Sequence, residues 1–427
     1  MHDWREQYAQ KIVTADEAVK HIQSGQRVVL GHACAAPPAI VSALAARAPE
    51  LRNVEIDHMV VMEPLPFSQP GMERSFRLNG MFLGAPTRDH VRDGRATFTP
   101  CFFSEVPRLF RERILPIDAV ILQVTPPDAE GYCSLGLSAD FTLAATECAP
   151  MVLAQVNSLL PHTNGARIHL DRITAIVEAD APIPEVAVPK VGEVEMQIGR
   201  HVATLVEDGA TLQIGIGALP EAALRCLGGK KDLGIHSEMF SDGVVALAEA
   251  GVITNRRKTL HADKFIATFL MGTRRLYDWA HNNPALEMHP VDYVNDPCVI
   301  GRHDRMVSLN SALQVDLYGQ VNAEMIGHRQ FSGVGGQVDF LRGASRSRGG
   351  RGIIALASTA SRGTISRICA TLDAGAAVTT SRQDVHFVVT EYGVAELRGK
   401  TLQQRAEALI SIAHPDFRAG LWRALEA

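Results

Sequence analysis

The chain has 427 residues, too many for one ordinary core, so two domains are expected. Its 46% hydrophobic and 21% charged residues are those of a soluble globular protein with ample apolar material to bury. A formal net charge of −5 supplies no overall positive field, which removes nucleic acid and anionic membrane surfaces from the expected partners.

The N-terminus, Met1 to Lys11, is polar and has no apolar run resembling a signal peptide. No segment approaches the roughly 20 consecutive apolar residues of a membrane helix. The seven cysteines, at 34, 101, 133, 148, 226, 298 and 369, are scattered and never form a C-x-x-C pair. That pattern suits reduced thiols, so a cytoplasmic location is expected. None has a context that would activate a thiol. The histidines form no H-E-x-x-H and no cluster with ligand spacing, so no metal is expected.

In chain order, β-branched runs occur at Arg27–Leu30, Ala119–Val124, Met151–Val156, Phe265–Leu270, Ile353–Leu356 and His386–Val389. Between them lie stretches with apolar residues at helical spacing, such as Ile40 to Arg47 and Leu402 to Ile412. This alternation predicts an α/β protein with largely parallel sheets covered by helices.

The segment Ala181 to Lys190 holds three prolines and precedes a restarting helical pattern, which divides the chain into domains at 1–187 and 188–427. The two halves echo each other. A helix-like Ala15 to Gln23, Gly25, the strand Val28–Leu30 and Gly31 are matched by Ile198 to Val206, Gly209, the strand Thr211–Ile214 and Gly215. Both glycine pairs are displaced by 184 positions. The next strands, Val54–His58 and Leu233–His236, also correspond, giving two related open α/β domains facing each other across a cleft. Glu238 then aligns with Val60, so a single active carboxylate belongs to the C-terminal half.

Four segments could carry chemistry. Gln213 to Glu221 is a glycine turn between a strand and a helix, where backbone N–H groups and a helix N-terminus can meet an anion. A dinucleotide site is one reading, with Glu238 as ribose ligand, although Pro220 replaces the third glycine of the fingerprint. A bare structural turn is another. Gly234 to Gly243 places Glu238 and Asp242 four apart with Ser237 and Ser241 interleaved, and lacks the G-x-S-x-G of a serine nucleophile. Glu238 is either a ligand-facing acid at the carboxyl edge of a sheet or a charge at the start of a surface helix. Phe331 to Phe340 has three glycines in four residues, a potential anion nest, and precedes a stretch from Leu341 to Gly352 with four arginines. Those arginines could meet phosphates or form a solvated loop. Pro126 to Gly136 reads only as a long ordered loop.

Taken together, these segments resemble the acetyl-CoA hydrolase/transferase family, most closely its 4-hydroxybutyrate and butyryl-CoA:acetate CoA-transferase branch. The likeness rests on Pro126–Gly136, Gly215–Ala218, Ile235–Gly243, Tyr293–Pro297, Phe331–Phe340 and Thr379–Gly393, with Leu397–Lys400 and Ile412–Phe417 extending it. The resemblance implies two α/β domains of the CoA-transferase type and Glu238 as the nucleophile. It implies Gly215, Ile216, Gly217, Ala218 and Leu219, with Gly335 and Gly336, as loops facing CoA and the reacting carbonyl. Gln213 and Asn295 would position substrate. Acyl-CoA and short-chain carboxylates would be substrates with no permanently bound cofactor, in a homo-oligomer (a dimer or tetramer). The arginine-rich stretch departs from the family pattern, where a lysine is usual. Rival activities are hydrolysis of the acyl-CoA, nicotinamide-dependent oxidation at the Gly215 turn, and CoA-ester binding without turnover.

Overall fold

The computed structural model describes residues 4–426; the first three residues of the polar N-terminal stretch and Ala427 lie outside the described residues. Two compact units emerge: Met1–Val186 with Thr268–Tyr293, and Ala187–Ala267 with Val294–Ala427. The first break lies inside the proline-rich segment, and the chain later re-enters the first unit. Among the described residues no helix is long and apolar enough to cross a membrane.

The first unit is built on a seven-stranded sheet. Its strands are β1 (Arg27–Leu30), β2 (Val54–His58), β3 (Phe76–Gly80), β4 (Ala96–Phe98), β5 (Ala119–Val124), β6 (Met151–Val156) and β7 (Ala175–Glu178), in the order β7-β6-β5-β1-β2-β3-β4. Every pairing is parallel. β5 is buried along its whole length, as a strand covered on both faces must be. Helix α1 (Pro38–Ala46) starts on a proline, which suits a position whose N–H has no helical partner, and buries Ile40, Val41 and Leu44. The polar exceptions sit at the carboxyl ends of the strands. Gln123 donates to the carbonyls of Cys34 and Ala36, and Asn157 donates to Gln123 and to the carbonyl of Ala181. These amides fix the approach to α1 and the start of the proline-rich segment.

The second unit holds α2 (Glu193–Thr204), α3 (Ala218–Cys226), α4 (Asp242–Glu249), α5 (Gln337–Arg346) and α6 (Leu402–Ile412) around a six-stranded sheet. The strands β8 (Thr211–Ile214), β9 (Gly234–Ile235), β10 (Met306–Ser311), β11 (Arg351–Ala355), β12 (Phe387–Thr390) and β13 (Gly393–Glu396) run in the order β9-β8-β10-β11-β12-β13. All pairings are parallel except β12 with β13. The repeat read from sequence has a structural counterpart. β1 and β8 each lie between two parallel neighbours, pair with the next strand in sequence, and lead into a helix. α6 opens with a reciprocal capping box between Thr401 and Gln404, and buries Ala406, Leu409, Ile410 and Ile412 in a core with Ile354, Leu356 and Val388.

Two readings from sequence are corrected. The run Phe265–Leu270 is two short strands, Phe265–Ala267 and Phe269–Leu270. The arginine-rich stretch is a solvated loop only around Arg348: its first half is the end of α5, its last residues begin β11, and three of its four arginines meet acids. Arg342 bonds Asp384 (3.2 Å), Arg348 bonds Asp304 (3.2 Å) and Arg351 pairs with Glu207.

Buried histidines make stability depend on pH. Burial pushes His58 down to about 4 and His303 down to about 3, with Lys258 adding to the effect at His303. Burial, reinforced by His303, holds His236 well below the ordinary histidine range. The unfolded chain takes up these protons near about pH 6.5, whereas the folded chain resists them until about pH 4 or below, so stability falls on acidification through that window. Asp57 acts oppositely, because burial raises it to about 6 despite Asn79 and Arg27. Three depressed histidines outweigh one raised aspartate. Urea unfolding should therefore show a lower midpoint at about pH 5 than at about pH 7.5, and His303→Gln should flatten the difference. An unchanged or higher midpoint at the acid end would contradict this assignment.

Candidate active site

β9 runs parallel to β8 and carries the chain past its carboxyl end into His236, Ser237 and Glu238. Both residues before the glutamate are fully buried and committed. The Ser237 hydroxyl donates to the carbonyl of Met239 (2.6 Å) and accepts from the N–H of Ile214 (3.2 Å) at the end of β8. His236 Nε2 donates to the carbonyl of Val294 (2.8 Å). Ser237 is thus a stitch between strands, with no hydroxyl left exposed for attack. Glu238 is the partly exposed side chain of the three.

Asn295 Nδ2 donates to Glu238 Oε2 at 2.7 Å. Asn295 is fully buried, and the chain beyond it is fixed by Asp296, whose carboxylate caps the short helix Pro297–Ile300 through the N–H of Cys298 (2.7 Å). An amide donor prefers a carboxylate in its ionised form, which suits an anionic nucleophile.

Gly336 closes the arrangement. A methyl group placed on its Cα would lie 2.0 Å from Glu238 Oε2 and 2.4 Å from Asn295 Nδ2. The backbone of residue 336 therefore packs directly on the Glu238–Asn295 pair, and a side chain there would push the ends of both out of place. Gly336 is also the N-cap of α5, so the positive end of that helix abuts the carboxylate. The following residue, Gln337, donates to the carbonyl of Ser311 (2.8 Å) and accepts from Thr380 (2.9 Å), which ties the start of α5 to the end of β10. Gly335 immediately before it has φ +55°.

The other residues singled out in the sequence lie at the same carboxyl edge with different surroundings. Gly215 to Gly217 form the turn from β8 into α3, whose first residues are Ala218 and Leu219; Gly217 has φ +116°, a conformation essentially confined to glycine, and Ile216 is exposed. Ser237, bonded to Ile214, links this turn to the Glu238 segment. Gln213 points into the sheet: its amide nitrogen donates to the carbonyl of Leu309 (3.3 Å), and its oxygen accepts from Ser308 (2.7 Å) and Asn310 (3.1 Å). Pro220 occupies the first turn of α3, where a dinucleotide fingerprint has its third glycine. Sequence reasoning weighed Ser237 only as a nucleophile and did not single out His236 or Gln337, whose signal is only their adjacency to the Glu238 and Gly336 segments.

The first unit has its own concavity at a sheet's carboxyl edge, about 310 Å³ in volume. It lies where the strand order reverses between β1 and β5, and its lining includes Ala33, Met62, Glu63, Gln123 and Pro182. Ligands in open α/β sheets favour such switch points.

Comparison with known proteins gives a consistent result. Residues 1–189 match the acetyl-CoA hydrolase/transferase N-terminal domain, and residues 272–425 match the corresponding C-terminal domain. The chain is 55% identical over 420 residues to the 4-hydroxybutyrate coenzyme A transferase of Clostridium kluyveri, covering 98% of each protein. It is 45% identical over 422 residues to the succinyl-CoA:cyclohexane-1-carboxylate CoA transferase of Geobacter metallireducens, covering 99% of this chain and 96% of the relative. The crystal structure of the 4-hydroxybutyrate CoA-transferase of Porphyromonas gingivalis superposes with a TM-score of 0.84 at 45% identity, covering 99% of both chains. With both of its domains matched and such relatives aligned end to end, the chain belongs to the acetyl-CoA hydrolase/transferase family.

Proposed function

We propose that the protein is a CoA-transferase. It would move CoA between a short-chain acyl-CoA, such as acetyl-CoA or butyryl-CoA, and a carboxylic acid such as 4-hydroxybutyrate or acetate, by ping-pong turnover through a glutamyl-CoA thioester on Glu238. The observation that carries this reading is the Glu238 carboxylate held between the Asn295 amide and the backbone of Gly336 at the N-terminus of α5. A carboxylate fixed in this way is a positioned nucleophile. The relatives named for CoA transfer to carboxylic acids support the same class of reaction.

Glu238 attacks the carbonyl carbon of the donor thioester; the C–S bond breaks and CoA leaves as thiolate, giving a mixed anhydride. The thiolate then attacks the glutamyl carbonyl, the anhydride C–O bond breaks, and the donor acid departs as its carboxylate. The acceptor carboxylate attacks the resulting glutamyl-CoA, CoA thiolate leaves again, and its attack on the acyl carbonyl of the new anhydride releases Glu238. No proton, electron or phosphate is consumed, so the thioester energy is retained throughout. Each tetrahedral intermediate develops an oxyanion, and backbone N–H groups at the starts of α3 and α5 suit its stabilisation. One such donor typically contributes about 2.7–4 kcal/mol to the transition state. The proposed setting is a cytoplasmic homo-oligomer with acyl-CoA as substrate and no resident cofactor.

Incubation with acetyl-CoA or butyryl-CoA without acceptor should add the mass of CoA to the protein, on the peptide 234–243, and Glu238→Ala should abolish both the adduct and exchange. Free CoA accumulating without an adduct, at a rate indifferent to added acid, would instead identify a hydrolase. Near-normal turnover of Glu238→Ala would overturn the covalent mechanism.

Gly336→Ala tests the geometry independently. Its backbone φ of −95° admits alanine, so the substitution acts through the methyl group driven into the Glu238–Asn295 pair. Exchange should fall by about 100-fold or more, the usual scale of a misplaced reacting group. The same substitution should destabilise the Glu238→Ala protein less than the wild type in thermal melts. Full activity in Gly336→Ala would show that the close approach is not needed.

A further inference from the structure

Resting on the reading of Glu238 as nucleophile, we propose that His236 is a positioning residue for the reaction: its Nε2–H, bonded to the Val294 carbonyl, sets the place of Asn295 and thereby the orientation of the Glu238 carboxylate. His236 is fully buried, so it touches no substrate and is not itself a catalytic residue.

Two connections join the Glu238 segment to the Val294–Asn295 segment, and they leave adjacent residues on one side and residues two apart on the other. His236 Nε2 reaches the Val294 carbonyl at 2.8 Å, and Asn295 Nδ2 reaches Glu238 Oε2 at 2.7 Å. Only the second involves the reacting group. The first fixes the peptide from which the Asn295 side chain springs, so a shift there swings the amide away from the carboxylate. A carbonyl only accepts, so the imidazole proton must sit on Nε2, and Nδ1 lies in the interior with no hydrogen-bond partner among the described residues.

Packing fixes the ring as well as its proton. The imidazole lies 4.5 Å from the ring of His303 and 6.4 Å from that of Phe340, which stands one turn into α5 behind Gly336. The backbone N–H of His236 donates to the carbonyl of Leu212 in β8 (3.1 Å). One buried residue therefore bonds β8 through its backbone, and through its side chain meets the segment that carries Asn295 and the helix that begins at Gly336. Burial keeps it neutral, so the clamp holds across the working pH range without a charge that would compete with Asn295 for the carboxylate.

The test compares His236→Gln, whose amide nitrogen can occupy the place of Nε2, with His236→Asn, which has a similar polarity and a donor out of reach. Three quantities are read: the melting temperature, the rate of CoA-adduct formation at saturating butyryl-CoA, and the pH dependence of kcat/KM. His236→Gln should load close to the wild-type rate. His236→Asn should load about 100-fold more slowly with KM for acyl-CoA little changed. Its acid limb should also move to higher pH, because a carboxylate that has lost a donor is ionised less readily. Equal loading by both variants and the wild type, with superposable pH profiles, would overturn the positioning role while leaving Glu238 as nucleophile. Equal slowing of both variants, with loss of melting temperature and no movement of the acid limb, would assign His236 a merely structural role. No adduct in the wild type would overturn both the inference and the reading on which it rests.

Discussion

The contact between Gly336 and the Glu238–Asn295 hydrogen bond sets the tolerance for the rest of the second unit. An extra methyl at residue 336 would come within 2.0 Å of the carboxylate, so the hydrogen bond between Glu238 and Asn295 keeps its place only while three segments distant in sequence meet closely. Loops alone do not supply that accuracy. A parallel sheet does, because its strand ends are fixed by pairing, on both sides for β8 and β10 and against β8 for the edge strand β9, and the residues that follow inherit that placement. Ser237, bonded to Ile214, and Gln337, bonded to Ser311, carry it from the sheet to the two residues that need it.

Both units solve the same problem at their strand ends. A strand buried on both faces is apolar along its middle, yet its carboxyl end must release a turn whose carbonyl and N–H groups need partners. In the first unit Gln123 and Asn157 supply them, bonding the backbone near α1 and Ala181. In the second, Gln213, Ser308 and Asn310 form a closed set across β8 and β10. Gln213 thus has a clear structural use: it satisfies the sheet just beneath the glycine turn. Related strand–turn–helix units and related polar seams are what a duplicated architecture would retain, with the carboxylate on one side alone.

Much of this architecture was legible because the elements follow their periods. β5 and α6 have the bounds that their apolar patterns imply, and the alternation of short apolar runs with helical spacing led to parallel sheets. The run from Phe265 to Leu270 did not reveal its break, since uniformly apolar residues carry no period to interrupt, and the chain changes unit between Ala267 and Thr268. The arginine-rich stretch misled for another reason. Its glycines and serines suggest a loop, but Val338, Phe340, Leu341 and Ala344 are spaced for burial and win as a helix face. The acids that neutralise the arginines, Glu207, Asp304 and Asp384, are far away in sequence. Glu238 stood out locally only as an acid at a strand end. Its meeting with Asn295 and Gly336 is a tertiary fact that no spacing rule reports; the family resemblance named the three residues in separate roles without bringing them together.

The buried imidazoles bear on what the second unit is built for. His236 and His303 lie with ring centroids 4.5 Å apart, both fully buried, and Nδ1 of the first and both nitrogens of the second have no hydrogen-bond partner among the described residues. Desolvating such groups is unfavourable, and exchanging a polar group and its partner for apolar side chains of similar shape is often neutral or stabilising. An apolar side chain at position 236 would avoid desolvating the imidazole but would leave the buried carbonyl of Val294 without its donor. The Nε2–H of His236 reaches that peptide carbonyl next to Asn295, a contact that no apolar side chain can make. The histidine thus does two things at once: it satisfies a buried carbonyl and fixes the peptide from which Asn295 springs, while its desolvated ring gives up some stability at acid pH.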